Sequence, residues 1–182
     1  MAAPTILLGS STVHGAITRE VIEAMAASTP RPVIMPLSNP TSRMEAMPAD
    51  VLAWSDGKAL VATSSPSVPA EYNGTTYRIG QSNNALVFPG IGRGVIIAGA
   101  RRVTKNVLSA AAKAVASKTD PTGPGAALLP GMENLRQIST AVAAAVYHAA
   151  VQDAVATKEH HDLVRSILDT MWIPEYQTGE EI

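Results

Sequence analysis

Thr5-Ile6-Leu7-Leu8-Gly9-Ser10-Ser11 is a short, charge-free run that stops at a glycine and two serines. Apolar residues in succession, with no alternation, are the pattern of a strand buried on both faces, as in a parallel sheet. A helix should follow it: Ile17, Val21, Ile22 and Met25 share one face at helical spacing before Ser28-Thr29-Pro30 ends the pattern. Two further runs repeat the theme. Pro32-Val33-Ile34-Met35-Pro36 is bracketed by prolines, which suit strand ends, and Ala59-Leu60-Val61-Ala62-Thr63 stops at Ser64-Ser65-Pro66. Between them lie a Ser38-Asn39-Pro40-Thr41 turn and a short helix through Val51, Leu52 and Trp54. Pro48 opens that helix and Asp56-Gly57 closes it. Strand, helix, strand, helix, strand predicts a doubly wound α/β sheet.

Further along, Asn73-Gly74 between the alternating residues of Glu71–Tyr77 is a type I′ hairpin signal. Beyond it the periodicity turns helical. Val107, Leu108, Ala111, Ala112 and Val115 form one stripe, Leu135, Ile138, Val142 and Val146 a second, and Leu163, Val164, Ile167 and Leu168 a third. The expected organisation is one unit over 1–182, with an α/β portion with hairpin at 1–104 and a helical tail at 105–182. Asp120-Pro121-Thr122-Gly123-Pro124-Gly125 is a loop too short to require a boundary. A complete dinucleotide fold opens with a G-x-G-x-x-G turn and an acidic residue roughly 20 positions on. The loop Gly9-Ser10-Ser11-Thr12-Val13-His14-Gly15 lacks that spacing. The pattern is that of the second half of a Rossmann-like sheet.

Composition narrows the function. The 182 residues are 46% hydrophobic but 4% aromatic, so the core is built from Ala, Val, Leu and Ile. A net charge of -1 without a Lys/Arg run disfavours nucleic-acid binding. The absence of cysteine removes disulfides and thiolate metal sites and fits a cytoplasmic protein, and the four histidines lack zinc-finger spacing. Met1 to Pro4 carries no signal-peptide pattern, and no apolar run approaches the ~20 residues of a membrane span.

Several motifs allow two readings. Ser38-Asn39-Pro40-Thr41 follows a parallel strand, where open α/β sheets bind ligands, and an Asn amide both donates and accepts. Equally, Asn-Pro starts turns. Gly80-Gln81-Ser82-Asn83-Asn84 gathers polar side chains beside Ala85-Leu86-Val87-Phe88, either as a recognition edge or as a loop capping the helix beyond. For Phe88-Pro89-Gly90-Ile91-Gly92-Arg93-Gly94, close helix packing is favoured over a phosphate cradle. His160-His161, beside Glu159 and Asp162, reads as a solvated helix face rather than a metal site, and His14 as a loop histidine. There is no G-x-S-x-G elbow and no evident acid–base pair of carboxylates.

Taken in order, Pro36-Leu37-Ser38-Asn39-Pro40-Thr41-Ser42, Trp54-Ser55-Asp56-Gly57-Lys58-Ala59, Glu71-Tyr72-Asn73-Gly74, Gly80-Gln81-Ser82-Asn83-Asn84 and Phe88-Pro89-Gly90-Ile91-Gly92 resemble the malic enzyme family. Ala127-Leu128-Leu129-Pro130 and Trp172-Ile173-Pro174-Glu175-Tyr176 extend the resemblance over nearly the whole chain, and the malolactic enzymes share much of it. It implies NAD(P)-dependent oxidative decarboxylation of malate to pyruvate, with Mg²⁺ or Mn²⁺ as Lewis acid. It also implies cofactor contacts from Gly9, Ser10, Ser11, Ser38, Asn39 and Asn83, and substrate contacts from Asn39 and Asn84. The family's catalytic Tyr and Lys, its substrate Arg and its three metal carboxylates have no matching segment here, so no catalytic residue and no metal ligand is assigned.

Three functions follow as expectations. The chain contributes part of a working malic enzyme, completed by an N-terminal malic enzyme polypeptide or within a homo-oligomer; or it is an inactive remnant; or it is a stand-alone nucleotide- or partner-binding module. The family commonly has Gly, Phe and Leu where Ser64, Ser67 and Arg93 stand, departures that would disturb a strand end, apolar packing and a helix interface. An unpaired sheet edge and self-association are expected of the isolated chain.

Overall fold

The structure, a computed structural model, describes residues 3–171. The three apolar runs form β1 (Ile6–Gly9), β2 (Val33–Pro36) and β3 (Leu60–Thr63), which pair side by side and parallel. The links between them are helical, α1 (Arg19–Ser28) and α2 (Pro48–Trp54), the latter with Pro48 in its first turn as expected. Side chains alternate across a sheet, and the registered row Leu7, Ile34 and Val61 faces these helices. Ile34 and Val61 join Ile22, Met25, Val51 and Leu52 in one buried cluster, with Leu7 packed against it. The alternate face of β1 is uncovered: Ile6 is 58% and Leu8 60% exposed.

The Asn-Gly signal is a hairpin, β4 (Ala70–Tyr72) and β5 (Thr75–Tyr77). Asn73 and Gly74 both have positive φ, at 47° and 74°, as a type I′ turn requires. Gly80-Gln81, read from the sequence as loop, is a fourth parallel strand, β6, pairing with the end of β3. Two residues carry no periodicity; only the adjacent β3 edge makes them a strand.

Beyond β6 the chain is helical, with α3 (Phe88–Ala98), α4 (Lys105–Ala116), α5 (Leu135–Gln152) and α6 (Leu163–Asp169) around a second core that includes Val107, Ile138, Val142, Val146 and Ile167. The glycines of α3 serve packing. A Cβ on Gly90 would lie 2.5 Å from Val142 Cβ, and one on Gly94 would lie 2.6 Å from the Ala143 carbonyl oxygen. No larger residue allows α3 and α5 this approach. Thr104 caps α4, accepting from Val107 N–H at 3.1 Å while its hydroxyl donates to Asp153. The Asp120–Gly125 loop is tied to the hairpin side, with Arg78 N–H donating to the Gly125 carbonyl at 2.9 Å.

His160 differs from its expected place on a solvated helix face. It lies in the irregular segment before α6, half-buried, with ring nitrogens 3.0 Å from both Ser166 Oγ and the Ile97 carbonyl oxygen. It links α3 to α6 by polar contacts that helical periodicity does not register. Trp172-Ile173-Pro174-Glu175-Tyr176 lies outside the described residues. Among the described residues no helix is long and apolar enough to cross a membrane.

Candidate functional site

Because all four strands of the main sheet are parallel, their C-terminal ends share one edge, the place where open α/β sheets bind ligands. Small polar residues occupy every exit: Ser10-Ser11 after β1, Ser38-Asn39 after β2, Ser64-Ser65 after β3 and Ser82-Asn83-Asn84 after β6. The structure thus brings the sequence-selected residues to a common edge. Hydrogen bonds stitch the exits together. Leu37 N–H donates to the Gly9 carbonyl at 2.8 Å, Ser64 Oγ to the Leu37 carbonyl at 2.7 Å, and Ser82 N–H to the Thr63 carbonyl at 2.7 Å. Gln81 Nε2 donates to the Ser64 carbonyl at 3.1 Å.

The asparagines differ in what they have left to offer. Asn39 is exposed and its carbonyl accepts from the Ser65 hydroxyl, so its amide hydrogens are the groups available to a ligand. Asn83 is half-buried and spends its carbonyl on Ala85 N–H at 2.9 Å, capping the 3₁₀ turn Asn84–Leu86. Within the Gly80–Asn84 segment Asn83 thus acts as a cap, of the short turn before α3, while its neighbour Asn84 is exposed. Ser10 and Ser11 are also exposed, whereas Ser38 is buried and faces inward to Glu45.

Glu45 is the residue that sequence reading missed. It is 1% exposed, between the equally buried Met44 and Ala46, in the segment linking the 3₁₀ turn Thr41–Arg43 to α2. Its Oε1 accepts from Ser11 N–H at 2.7 Å, Ser11 Oγ at 3.0 Å and Ser38 Oγ at 2.5 Å, and its Oε2 from Ser38 N–H at 3.3 Å. Burial pushes the carboxyl pKa up, but the Ser38 hydroxyl and the backbone N–H groups of Ser11 and Ser38 outweigh it and hold the value at about 2, below the ordinary 4.5. The carboxylate is therefore charged, and it belongs to none of the ion pairs among the described residues. The only sequence signal was an acidic residue wedged between Met and Ala, which points to burial and not to a role.

The departures noted in the sequence have structural answers. Ser64 makes the bond to Leu37 described above, and Ser67 Oγ lies 3.0 Å from Thr63 Oγ1. Arg93, within α3, carries a buried Nη1 with no partner among the described residues. His14 is an exposed loop residue whose Nδ1 is 2.9 Å from the Met44 carbonyl oxygen.

Two clefts, of about 300 and 550 Å³, lie elsewhere. The first, lined by Arg31, Lys58 and Leu60, is at the opposite, N-terminal end of the strands, and the second lies between Gly80 and the Leu129–Asn134 segment. Neither is lined by Ser10, Asn39, Asn83 or Asn84. Among the described residues no three His, Asp or Glu side chains come together to hold a metal ion.

Comparison with known proteins fits this geometry. The family model for the malic enzyme NAD binding domain matches residues 1–151. The chain is 64% identical, over 97% of its length, to the "putative malate oxidoreductase (NAD)" of Mycobacterium tuberculosis, of which it covers 32%. It is 47% identical to NAD-dependent malic enzyme 3 of Bacillus subtilis, covering 31% of that protein, and 45% identical to the malolactic enzyme of Lactococcus lactis, covering 32%. The crystal structure of malic enzyme from Pyrococcus horikoshii superposes with a TM-score of 0.71 at 26% identity, over 91% of this chain and 34% of that one. The chain thus spans about a third of the length of these relatives, and over that span it belongs to the malic enzyme family as part of the NAD-binding domain.

Proposed function

We propose that this chain supplies the nicotinamide and malate contacts of an NAD(P)-dependent malic enzyme, and that sequence other than these 182 residues supplies the catalytic Tyr and Lys, the substrate Arg and the metal carboxylates. The observation that carries this reading is the gathering of Ser10, Ser38-Asn39 and Asn83-Asn84 on the C-terminal edge of one parallel sheet. In this assignment Gly9, Ser10, Ser11, Ser38, Asn39 and Asn83 form the cofactor side, and Asn39 and Asn84 reach malate. Amide groups suit both ligands: their N–H donates to a carboxylate or carboxamide oxygen, and their carbonyl accepts from a hydroxyl.

The described residues fit a dinucleotide better than a metal. The polar groups at the strand exits are serines and asparagines with one buried carboxylate, Glu45, behind them, and among the described residues no three His, Asp or Glu side chains gather to hold Mg²⁺ or Mn²⁺. When bound, NAD or NADP accepts the hydride from malate C2. What this chain does is orient the two reactants, which converts binding into rate by proximity. The open face of β1, with Ile6 and Leu8 exposed, supports completion by a second polypeptide or a second copy, because parallel sheets are normally covered on both faces.

The test is complementation. The chain is mixed with a polypeptide carrying the rest of the Mycobacterium tuberculosis relative, and NADH formation from malate is followed with Mn²⁺ present. Activity is expected in the mixture and in neither piece alone. Turnover by the chain alone, or a mixture that neither associates nor reacts, overturns the reading. The second outcome, with a folded chain, favours the inactive remnant, a reading that the unpartnered Arg93 nitrogen supports.

A further inference from the structure

The loop that follows a strand in a doubly wound sheet ordinarily turns its backbone N–H groups toward a ligand phosphate. In the β1–α1 loop those donors are already in use. Ser11 N–H is bound to Glu45, Thr12 N–H donates to Ser38 Oγ at 2.9 Å, and Val13 N–H donates to Ser11 Oγ at 3.2 Å. Both serine hydroxyls donate in turn to Glu45 Oε1. Three consecutive amides therefore end, directly or through one hydroxyl, on a single buried carboxylate. The backbone of the same segment holds the loop's far end, with Ile17 N–H donating to the Glu45 carbonyl at 3.2 Å. Gly9 is shaped around it, since a Cβ there would come within 2.9 Å of the Glu45 carboxyl carbon.

We propose that Glu45 is a positioning residue acting as a built-in anion: it occupies from inside the amide donors that a phosphate would take, and so sets the β1–α1 loop as a surface for the uncharged carboxamide and ribose end of a dinucleotide while refusing anions. The dinucleotide part rests on the function proposed above; the refusal of anions does not. A group that merely filled space would not need its charge, but this one is met by four hydrogen-bond donations and lies beside no cation in the ion pairs of the described residues. A fixed negative charge behind the loop also opposes approach of a second anion.

The experiment compares the wild-type chain with Glu45→Ala and Glu45→Gln by amide NMR, using acetate, inorganic phosphate and NADH as probes. In E45A, the Ser11 and Ser38 amides, whose acceptor is gone, and the Thr12 amide, whose acceptor Ser38 Oγ loses its anchor, should exchange at least ~10-fold faster. Acetate, which matches the deleted CH₂–COO⁻ group, should restore their protection where equal ionic strength of sodium chloride does not. Phosphate should shift these amides in E45A and leave them unmoved in the wild type. E45Q keeps the Oε1 acceptor and removes the acceptor of Ser38 N–H, so it should lose protection at Ser38 alone; it decides the matter where E45A does not fold. Unchanged exchange in both variants, or phosphate binding to these amides in the wild type, overturns the proposal. NADH separates the two readings. Affinity at least ~10-fold weaker in E45A and recovered with acetate supports both. A wild-type chain that does not bind NADH but shows the acetate and phosphate responses sinks the dinucleotide reading and leaves the internal anion standing.

Discussion

The two flanks of the parallel sheet are finished in opposite ways. Past β6 the chain continues into helices that close on one another: α3 and α5 meet across Gly90 and Gly94, and Val142 and Val146 are fully buried between them. On the β1 side Ile6 and Leu8, whose residue types belong in a core, are left more than half exposed. Apolar residues on a buried parallel strand gain about 1.5–3 kcal/mol each when covered. The first flank has collected that stabilisation within these residues, while the second offers it to whatever covers the sheet. Between the two lies the polar edge, where Glu45 ties the β1 and β2 exits together through hydrogen bonds and charge instead of apolar contact.

The contrast is broken most severely at the closed flank. Gly94→Val places atoms where Ala143 O and Val146 already sit, and overpacking of this kind should cost about 3 kcal/mol or more. Loss of cooperative urea unfolding of the helical signal would show it; a variant as stable as the wild type would mean that α3 and α5 are not packed as described.

The polar edge responds to acid. The folded carboxyl of Glu45 titrates near 2 and an ordinary one near 4.5, so its contribution is complete above the ordinary value and is lost as pH falls from there toward 2. The stability lost over that window should be about 2–3 kcal/mol. Denaturant titrations at several pH values should find this acid limb in the wild type and a flatter one in E45Q. Equal limbs would remove Glu45 as their source.

Smaller still is the cap of α4. Thr104→Ala removes the acceptor for Val107 N–H and the donor to Asp153, and should cost about 1 kcal/mol. Thr104→Ser, which keeps the hydroxyl, should recover most of the lost midpoint in the same urea titration.

At the open flank the effect on stability should be least. Leu8→Lys is expected to shift the chain's own stability by less than about 0.5 kcal/mol, yet to reduce the concentration-dependent self-association that sedimentation should detect in the wild type. It should also abolish complementation by the rest of the enzyme. A wild-type chain that stays monomeric at high concentration would count against the exposed flank as an associating surface.

How much of this was legible beforehand depended on the range of the cause. The three long strands, the helices α1, α2, α4, α5 and α6 and the hairpin turn were readable because each is declared by local periodicity or by a residue with restricted backbone, such as Pro48 or Asn73-Gly74. The packing role of the α3 glycines was readable too. β6 was not, since two residues have no period to display. Of the candidate site, the polar strand exits were visible as Ser and Asn clusters, but Glu45 was not, because its four donors come from Ser11 and Ser38, 34 and 7 residues away.

The sequence by itself carried the resemblance to the family in its ordered motifs, and it determined the direction of the sheet and the chemistry along its edge, because those follow from residue type and short spacing. Only the tertiary structure decided that the edge is held by a buried anion, that β6 joins the sheet and that one flank closes while the other stays open. The physical reason is common to all three. Each depends on which groups from distant parts of the chain satisfy, or fail to cover, a given residue, and a buried charge or an exposed leucine has no local signature.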